Sequence, residues 1–229
     1  MNSNPLIRTA RKLIELALEE DLGFGDVSTD SLIPEDHQSR ARIIARQPLT
    51  LAGIDLVDEV FRQVNPTIPV GAQVADGKNL EPGNVVWETT ASTRSLLQGE
   101  RTALNFLQYL SGIATRTAAF VQAAHRQGTR PRICDTRKTT PGYRMLGKYA
   151  VRCGGGHNHR FSLADVVMLK DNHIAVCGSI TQALENLRQK IPHTASIVVE
   201  ADTLDQAREA AAGKVDVILL DNMTLEELK

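Results

Sequence analysis

Residues 166–171 read VVMLKD, a run of four apolar residues that ends in two charged ones. Three more aliphatic or β-branched runs occupy residues 131–135, 196–199 and 215–220, and helical stretches separate the four runs. Continuous apolar strands that alternate with helices are typical of a parallel sheet covered on both faces. The pattern therefore predicts an α/β fold, either a doubly wound sheet or a β/α barrel.

Charged residues follow each of these predicted strands. Arg137 and Lys138 follow the first strand, Lys170 the second, Glu200 the third and Asp221 the fourth. A chain that returns to solvent would also place charges there, but Lys170 and Glu200 come directly after apolar runs. In a β/α barrel, the carboxyl ends of the strands share the face that carries the active site. The spacing therefore predicts one polar site.

The residues before this region follow a different pattern. Apolar residues at three- and four-residue spacing between Leu6 and Leu18 predict an opening helix. Short strands follow, with helices predicted over residues 54–64, 92–109 and 113–126 and a break at Ser111 and Gly112. The pattern therefore suggests an α+β layer over residues 1 to about 110. The regular alternation of strands and helices begins beyond Gly128, so we place a domain boundary near this residue.

The composition limits the function and the location of the protein. The 229 residues include 26 Lys and Arg against 27 Asp and Glu, so no overall basic field would attract nucleic acid or an anionic membrane. No apolar run approaches the roughly 20 residues that a membrane span needs. Three cysteines without paired spacing fit reduced thiols better than a disulfide framework. We expect a cytoplasmic protein that binds neither nucleic acid nor membranes.

Long stretches between residues 100 and 223 closely resemble the signatures of the quinolinate phosphoribosyltransferase family. They are ERTALN (100–105), SGIAT (111–115), DTRKTTPG (135–142), KYAVRCGGGHNHR (148–160), LKDNHI (169–174) and LDNM (220–223). The resemblance implies an N-terminal α/β sandwich over residues 1–112 and an α/β barrel over residues 113–229. It also implies a pentosyltransferase of NAD biosynthesis, which joins quinolinate to phosphoribosyl pyrophosphate (PRPP) and releases pyrophosphate and CO2 to give nicotinate mononucleotide.

The resemblance also implies a role for particular residues. The residues assigned to quinolinate are Thr136, Arg137, Lys138, His159, Arg160 and Lys170. Lys138 and Lys170 would also lie near the phosphoribosyl group, and Glu200 and Asp221 would serve the ribose and its Mg²⁺. We therefore expect Lys138, Lys170, Glu200 and Asp221 to be catalytic. The family pattern further implies a homodimer in which Arg101 reaches the active site of the neighbouring subunit.

These assignments agree with the chemistry of the side chains. Arg binds a carboxylate through two parallel hydrogen bonds, whereas Lys supplies a compact charge for a second carboxylate or a phosphate. Cations that lie close together repel one another, so such a site favours anionic ligands. Carboxylates are hard oxygen ligands that suit Mg²⁺ held together with substrate phosphates.

Other interpretations of the same residues remain open. One alternative is that the cations belong to a surface that binds only counterions. Cys153, His157 and His159 form a possible transition-metal site, because thiolate and imidazole are zinc ligands, although three glycines intervene and no second cysteine pair completes the set. Gly154, Gly155 and Gly156 are better explained by a close backbone approach or an unusual turn.

The sequence departs from the family pattern at two places. Val198 stands where the family commonly has a first glutamate, ahead of the one matched to Glu200. The family also continues beyond Lys229, so we expect an incomplete barrel that lacks its last strands and phosphate loops, and a chain that cannot support full activity alone. The alternatives are an inactive or partner-dependent fragment and a related enzyme acting on another aromatic acid. The three arginines at 101, 137 and 160 favour two carboxylates over one.

Overall fold

The computed structural model describes residues 5–126 and 128–229, which form two compact units, Met1–His159 and Arg160–Lys229. Residues 1–4, which the sequence assigns to the first domain, lie outside the described residues. The predicted domain boundary after residue 112 falls within a continuous helix and stays a prediction.

The first unit combines helices with antiparallel strand pairs. Its elements are α1 (Pro5–Leu22), α2 (Val27–Leu32), β1 (Gln38–Ile44), β2 (Leu49–Thr50), α3 (Ile54–Val64), β3 (Asn79–Leu80), β4 (Val85–Ser92), α4 (Thr93–His125) and α5 (Arg144–Cys153). β1 pairs with β4 and β2 pairs with β3, both antiparallel. The predicted helix over residues 54–64 is confirmed as α3.

The core of the first unit is built around the ring of Trp87. This ring stacks on Phe61 with 4.6 Å between the ring centroids. Its Nε1 donates a hydrogen bond of 2.7 Å to the buried carboxylate of Asp58, which also accepts from the backbone N–H of Gly71 at 2.9 Å. Burying a carboxylate is costly unless donors surround it, so these contacts fix how α3 meets β4.

The predicted break at Ser111 and Gly112 is wrong, because α4 runs without interruption through 33 residues. The Ser111 hydroxyl hydrogen-bonds with both the N–H and the carbonyl of Ala52, at 3.1 and 3.3 Å. Leu110 and Ala114 are fully buried on either side. A glycine inside a helix costs only about 1 kcal/mol, so this packing keeps the helix continuous.

The predicted strand at Pro131–Asp135 is also wrong, because it contributes only one parallel bridge, between Cys134 and His157. The N–H of His157 donates to the carbonyl of Ile133 at 2.8 Å, and the N–H of Asp135 donates to the carbonyl of His157 at 3.0 Å. Pro131 has no N–H to extend this ladder, and Arg132 and Cys134 are exposed, so little burial supports a longer strand.

The second unit is a three-stranded parallel sheet with helices. Its elements are β5 (Val167–Leu169), α6 (Asp171–Cys177), α7 (Ile180–Arg188), β6 (Ile197–Ala201), α8 (Leu204–Ala212) and β7 (Val217–Leu220), and the strand order is β5-β6-β7. Its core contains Leu169, Ile180, Leu184 and Val199. The three predicted strands over residues 166–169, 196–199 and 215–220 are confirmed, and so is the α/β class.

Among the described helices, none has both the length and the apolar composition that crossing a membrane requires.

The glycine run after α5 makes both a turn and a close approach. Gly155 has φ +82°, and its N–H and that of Gly156 donate to the carbonyls of Arg152 and Val151, each at 3.0 Å. This is the Schellman arrangement that ends helices. A Cβ on Gly154 would collide with the carbonyl oxygen of Ala114 in α4. The glycines therefore let α5 end directly against α4.

This approach predicts that Gly154→Ala lowers the free energy of unfolding by about 2 kcal/mol, the usual cost of overpacking a core. The matched control is Gly147→Ala in α5, where a Cβ would meet the Ile113 side chain at an ordinary 3.9 Å and would raise helix propensity by up to about 1 kcal/mol. Urea unfolding followed by circular dichroism measures both. Equal stability of the two variants would contradict the close approach.

Candidate active site

A short turn presents Arg137 and Lys138 at the surface of the first unit. The Thr136 hydroxyl accepts a hydrogen bond from the N–H of Lys138 at 3.0 Å. The N–H of Thr139 donates to the carbonyl of Arg137, also at 3.0 Å. Threonine hydroxyls often stabilise turns by bonding the backbone two residues on. The turn therefore fixes the backbone from which the two cations project.

The far side of this turn is tied to two helices. The hydroxyl of Tyr109 in α4 hydrogen-bonds that of Thr140 at 2.6 Å. The Nε of Arg144, the first residue of α5, donates to the Thr139 hydroxyl at 3.2 Å. These contacts hold a loop that would otherwise have to be ordered when a ligand binds.

Arg137 has an unsatisfied donor. Its Nε atom is buried and has no hydrogen-bond partner among the residues that the structure describes, whereas the Lys138 side chain beside it is exposed. A buried donor without a partner costs about 1–3 kcal/mol. An anionic ligand that accepted this hydrogen bond would recover that cost, so the turn is suited to a carboxylate or a phosphate.

His159 lies on the segment that follows the glycine run. Its N–H donates to the Asp135 carboxylate at 2.8 Å, and its carbonyl accepts from Lys148 Nζ at 2.9 Å. The backbone of His159 is therefore bonded to the residue that immediately precedes the Thr136 turn. The first unit thus connects four of the predicted residues: Thr136, Arg137, Lys138 and His159.

The second unit joins Lys170 and Glu200 in an ion pair. The Lys170 Nζ atom lies 2.6 Å from Glu200 Oε2, and the two side chains are 41% and 14% exposed. Lys170 directly follows β5, and Glu200 lies near the end of the neighbouring β6. The N–H of Lys170 donates to Nδ1 of His173 at 3.1 Å, which fixes the backbone from which the lysine projects.

Asp221 directly follows β7, the third strand of the same sheet. Its N–H donates to the carbonyl of Ala201 at 3.0 Å, which extends the pairing of β6 with β7 by one residue. The Asp221 carboxylate accepts a hydrogen bond of 3.1 Å from Asn222, a residue with φ +53°. Lys170, Glu200 and Asp221 therefore lie at the carboxyl ends of three adjacent parallel strands, as the spacing predicts.

Arg160 is held by β5 and by the residue that precedes this strand. Its guanidinium donates to the carbonyl of Val166 at 3.0 Å and lies 3.4 Å from the sulfur of Met168. Arg101 has a different setting, on α4 of the first unit. Its side chain is exposed, and it has no ion-pair partner in the described part of the chain.

The alternative transition-metal site receives no support. Within residues 5–126 and 128–229, no group of three or more His, Cys, Asp and Glu side chains could hold a metal ion. Cys153 instead packs against the core of the first unit, and His157 lies 3.3 Å from the guanidinium of Arg152.

Sequence reasoning missed three residues that organise the site: Asp135, Lys148 and Asn158. They lie within the stretches that carry the family resemblance, yet nothing in the sequence distinguished them from surface residues. Lys148 is almost completely buried, as are Leu146 and Ala150 on the same helix. A lysine between apolar residues of a helix is a weak signal of a buried ion pair, and only the fold shows its partner.

The chain is similar to a known protein family over most of its length. The family profile described as "Quinolinate phosphoribosyl transferase, C-terminal domain" matches residues 113–229, and the profile for the N-terminal domain matches residues 26–111. A "Probable nicotinate-nucleotide pyrophosphorylase [carboxylating]" of Bacillus subtilis is 44% identical over 93% of this chain and 72% of its own length. The Mycobacterium leprae "Nicotinate-nucleotide pyrophosphorylase [carboxylating]" is 42% identical, with 93% and 75% covered.

Solved structures show the same similarity. The structure described as NadC from Streptococcus pyogenes superposes with a TM-score of 0.91 at 44% identity, covering 96% of this chain and 77% of that one. The nicotinate-nucleotide pyrophosphorylase of Francisella tularensis gives a TM-score of 0.91 at 35% identity, with 97% and 78% covered.

The buried position of Cys153 predicts that its thiol is unreactive. Burial, together with the nearby Asp76 carboxylate, raises the pKa of Cys153 to about 11, and only the thiolate reacts rapidly with alkylating agents. At pH 8 we expect Cys153 to react with iodoacetamide about 100-fold more slowly than a thiol of the ordinary pKa near 8.5.

The exposed Cys134 is the internal control, and peptide mass spectrometry measures both rates. The Cys153 thiol ionises at a lower pH in the unfolded protein than in the folded protein. The free energy of unfolding should therefore fall as the pH rises from about 8.5 towards 11. Equal labelling of Cys134 and Cys153 at pH 8 would contradict the buried setting.

Proposed function

This chain belongs to the quinolinate phosphoribosyl transferase family, and we propose that it transfers the phosphoribosyl group of PRPP to quinolinate with loss of CO2. The products are nicotinate mononucleotide and pyrophosphate, which makes it a pentosyltransferase of NAD biosynthesis. The observation that carries the proposal is the turn at residues 136–139, which presents two cations and a buried, unpartnered Arg137 donor inside the family's own sequence pattern. The relatives favour neither an inactive fragment nor a different aromatic acid.

Quinolinate carries two carboxylates on a planar ring. We assign its binding to Thr136, Arg137, Lys138, His159, Arg160 and Lys170. The Arg137 guanidinium has an Nε donor without a hydrogen-bond partner among the described residues, and a bidentate bond from a guanidinium to a carboxylate is both directional and strong. Nicotinate, with one carboxylate, would leave part of this cationic set without a partner.

PRPP brings a pyrophosphate leaving group and a ribose. We assign Lys138 and Lys170 to its negative charge and Glu200 and Asp221 to the ribose. The reaction centre at C1′ develops positive charge as pyrophosphate leaves, and nearby carboxylates stabilise such an oxocarbenium-like state. The pairing of Lys170 with Glu200 at 2.6 Å holds this carboxylate in one orientation before substrate arrives.

The residues at the ends of β6 and β7 fit a magnesium ion that arrives with PRPP. Glu200 and Asp221 supply oxygen atoms from adjacent strands, and Mg²⁺ is usually bound by one or two carboxylates together with substrate phosphates and water. Two carboxylates alone would not complete the coordination of Mg²⁺, so substrate phosphates and water would supply the other oxygen ligands. When bound, Mg²⁺ would neutralise the charge that collects on departing pyrophosphate.

The proposed reaction has two steps. The ring nitrogen of quinolinate attacks C1′ of PRPP, and the bond from C1′ to pyrophosphate breaks. The C2 carboxylate then leaves as CO2, and the electron pair stays at C2, where the adjacent positively charged nitrogen stabilises it until a proton is added. The cationic residues act by holding the dicarboxylate in the orientation that directs its nitrogen at C1′.

The assembly and the location remain part of the proposal. A homodimer in which Arg101 serves the partner subunit would explain why an arginine stands exposed on α4 without an ion-pair partner among the described residues. The three cysteines are free thiols, which is typical of proteins in the reducing cytoplasm.

Measurements of turnover test the proposed roles of Lys138 and Lys170. We expect Lys138→Ala and Lys170→Ala each to lower kcat/KM by about 100-fold or more, the usual effect of losing a group that stabilises transition-state charge. PRPP-dependent release of pyrophosphate and CO2 from quinolinate is the assay. Lys190→Ala, which removes an exposed lysine outside the proposed site, should stay within about twofold of wild type. Near wild-type rates in both site variants would refute the assignment.

Mixing experiments test the shared site. If Arg101 serves the partner, mixed dimers of Arg101→Ala and Lys170→Ala subunits contain one intact site, so an equimolar mixture should recover roughly a quarter of wild-type activity. Mixing Lys138→Ala with Lys170→Ala should recover none, because both groups are assigned to one subunit. The assay follows the mixtures after joint unfolding and refolding. No rescue in the first mixture would exclude a role for Arg101 across the dimer.

A further inference from the structure

A buried ion pair lies behind the Thr136 turn. The Lys148 side chain is completely inaccessible to solvent, and the carboxylate of its partner Asp135 is 9% exposed. Taking both charges out of water is expensive, and the attraction between them repays that cost only when further hydrogen bonds satisfy the remaining donors and acceptors. The surroundings of this pair meet that condition.

Both oxygens of the Asp135 carboxylate accept hydrogen bonds. Oδ1 accepts from Lys148 Nζ and from the N–H of His159, the latter at 2.8 Å. Oδ2 accepts from the Asn158 side-chain amide at 2.6 Å. The same amide donates to the carbonyl of Lys148 at 2.8 Å, and Lys148 Nζ reaches the carbonyl of His159 at 2.9 Å. The three side chains and the His159 backbone therefore form a closed network.

We propose that Asp135, Lys148 and Asn158 are positioning residues for quinolinate binding, which set the Thr136 turn against the His159 segment. The inference rests on the proposed function, because it uses the assignment of Thr136, Arg137, Lys138 and His159 to quinolinate. None of the three side chains need touch the ligand. Their effect follows from where the network is attached.

The network is attached at the two points where the candidate binding residues begin. Asp135 immediately precedes Thr136, and the same carboxylate bonds the N–H of His159. In the described part of the chain, these segments are paired by the single bridge of Cys134 with His157. Because one bridge defines a direction poorly, the carboxylate supplies the additional bonds that fix the separation of the two segments.

A second buried carboxylate in the same unit shows what a purely structural role looks like. Asp58 accepts two hydrogen bonds, from Trp87 Nε1 at 2.7 Å and from the N–H of Gly71 at 2.9 Å. Neither donor belongs to the candidate site or adjoins it in sequence. Loss of the Asp58 network should therefore change stability alone, whereas loss of the Asp135 network should also change affinity.

Calorimetric titration with quinolinate separates the two roles. Asn158→Ala removes the Oδ2 bond while it leaves the ion pair in place, and Trp87→Phe removes one donor from Asp58 while it keeps the ring. We expect Asn158→Ala to raise the Kd for quinolinate by about 10-fold or more at unchanged stoichiometry, since misplacing binding groups by about 1 Å has effects of this size. Trp87→Phe should keep the wild-type Kd within about twofold.

Each result decides a different claim. A wild-type Kd in Asn158→Ala, with only the binding-competent fraction reduced, would overturn the positioning role and leave a structural one. If Asn158→Ala does not fold, Asn158→Ser supports the same comparison, because it also removes the side-chain amide, keeps a polar group and leaves the ion pair of Lys148 with Asp135 in place. Failure of the folded wild-type protein to bind quinolinate would instead refute the proposed function itself.

Discussion

The buried contact of Lys148 with Asp135 is the interaction on which the first unit's candidate site depends. Removing one partner of a buried ion pair typically costs about 3–5 kcal/mol, because the other charge is left without compensation. Here the carboxylate also holds the His159 N–H and the Asn158 amide. A side chain that water cannot reach thus determines where exposed cations stand. The arrangement separates the groups that would meet a ligand from the groups that hold them.

The cations of the two units differ in whether a neighbouring carboxylate compensates their charge. In the second unit, Glu200 pairs with Lys170, so that lysine is compensated without a ligand. In the first unit, Arg137 keeps a buried donor that no described residue accepts from, and Lys138 is exposed beside it. An uncompensated cation gains most from an anion, while a paired lysine can exchange its carboxylate partner for a phosphate.

The parts of the fold that could be predicted are those where burial and local pattern agree. A charged residue follows each of the apolar runs that form β5, β6 and β7, and α3 has an apolar stripe between a glycine and an asparagine. The limits of these elements can therefore be read from the local sequence. The continuity of α4 could not be predicted, because Ser111 is stabilised by Ala52, a residue distant in sequence. The same holds for Lys148, whose burial depends on Asp135. The motifs predicted which residues form the candidate site, whereas only tertiary contacts show how those residues are held.

The central claim is that this protein recognises a pyridine dicarboxylate. Calorimetric titration of the wild-type protein with quinolinate and, separately, with nicotinate tests it most directly. We predict that quinolinate binds at least about 10-fold more tightly, because a hydrogen bond to a charged group contributes about 1.5–3 kcal/mol and the second carboxylate adds such bonds. Equal affinity for the two acids, or no binding of quinolinate by the folded protein, would contradict the account.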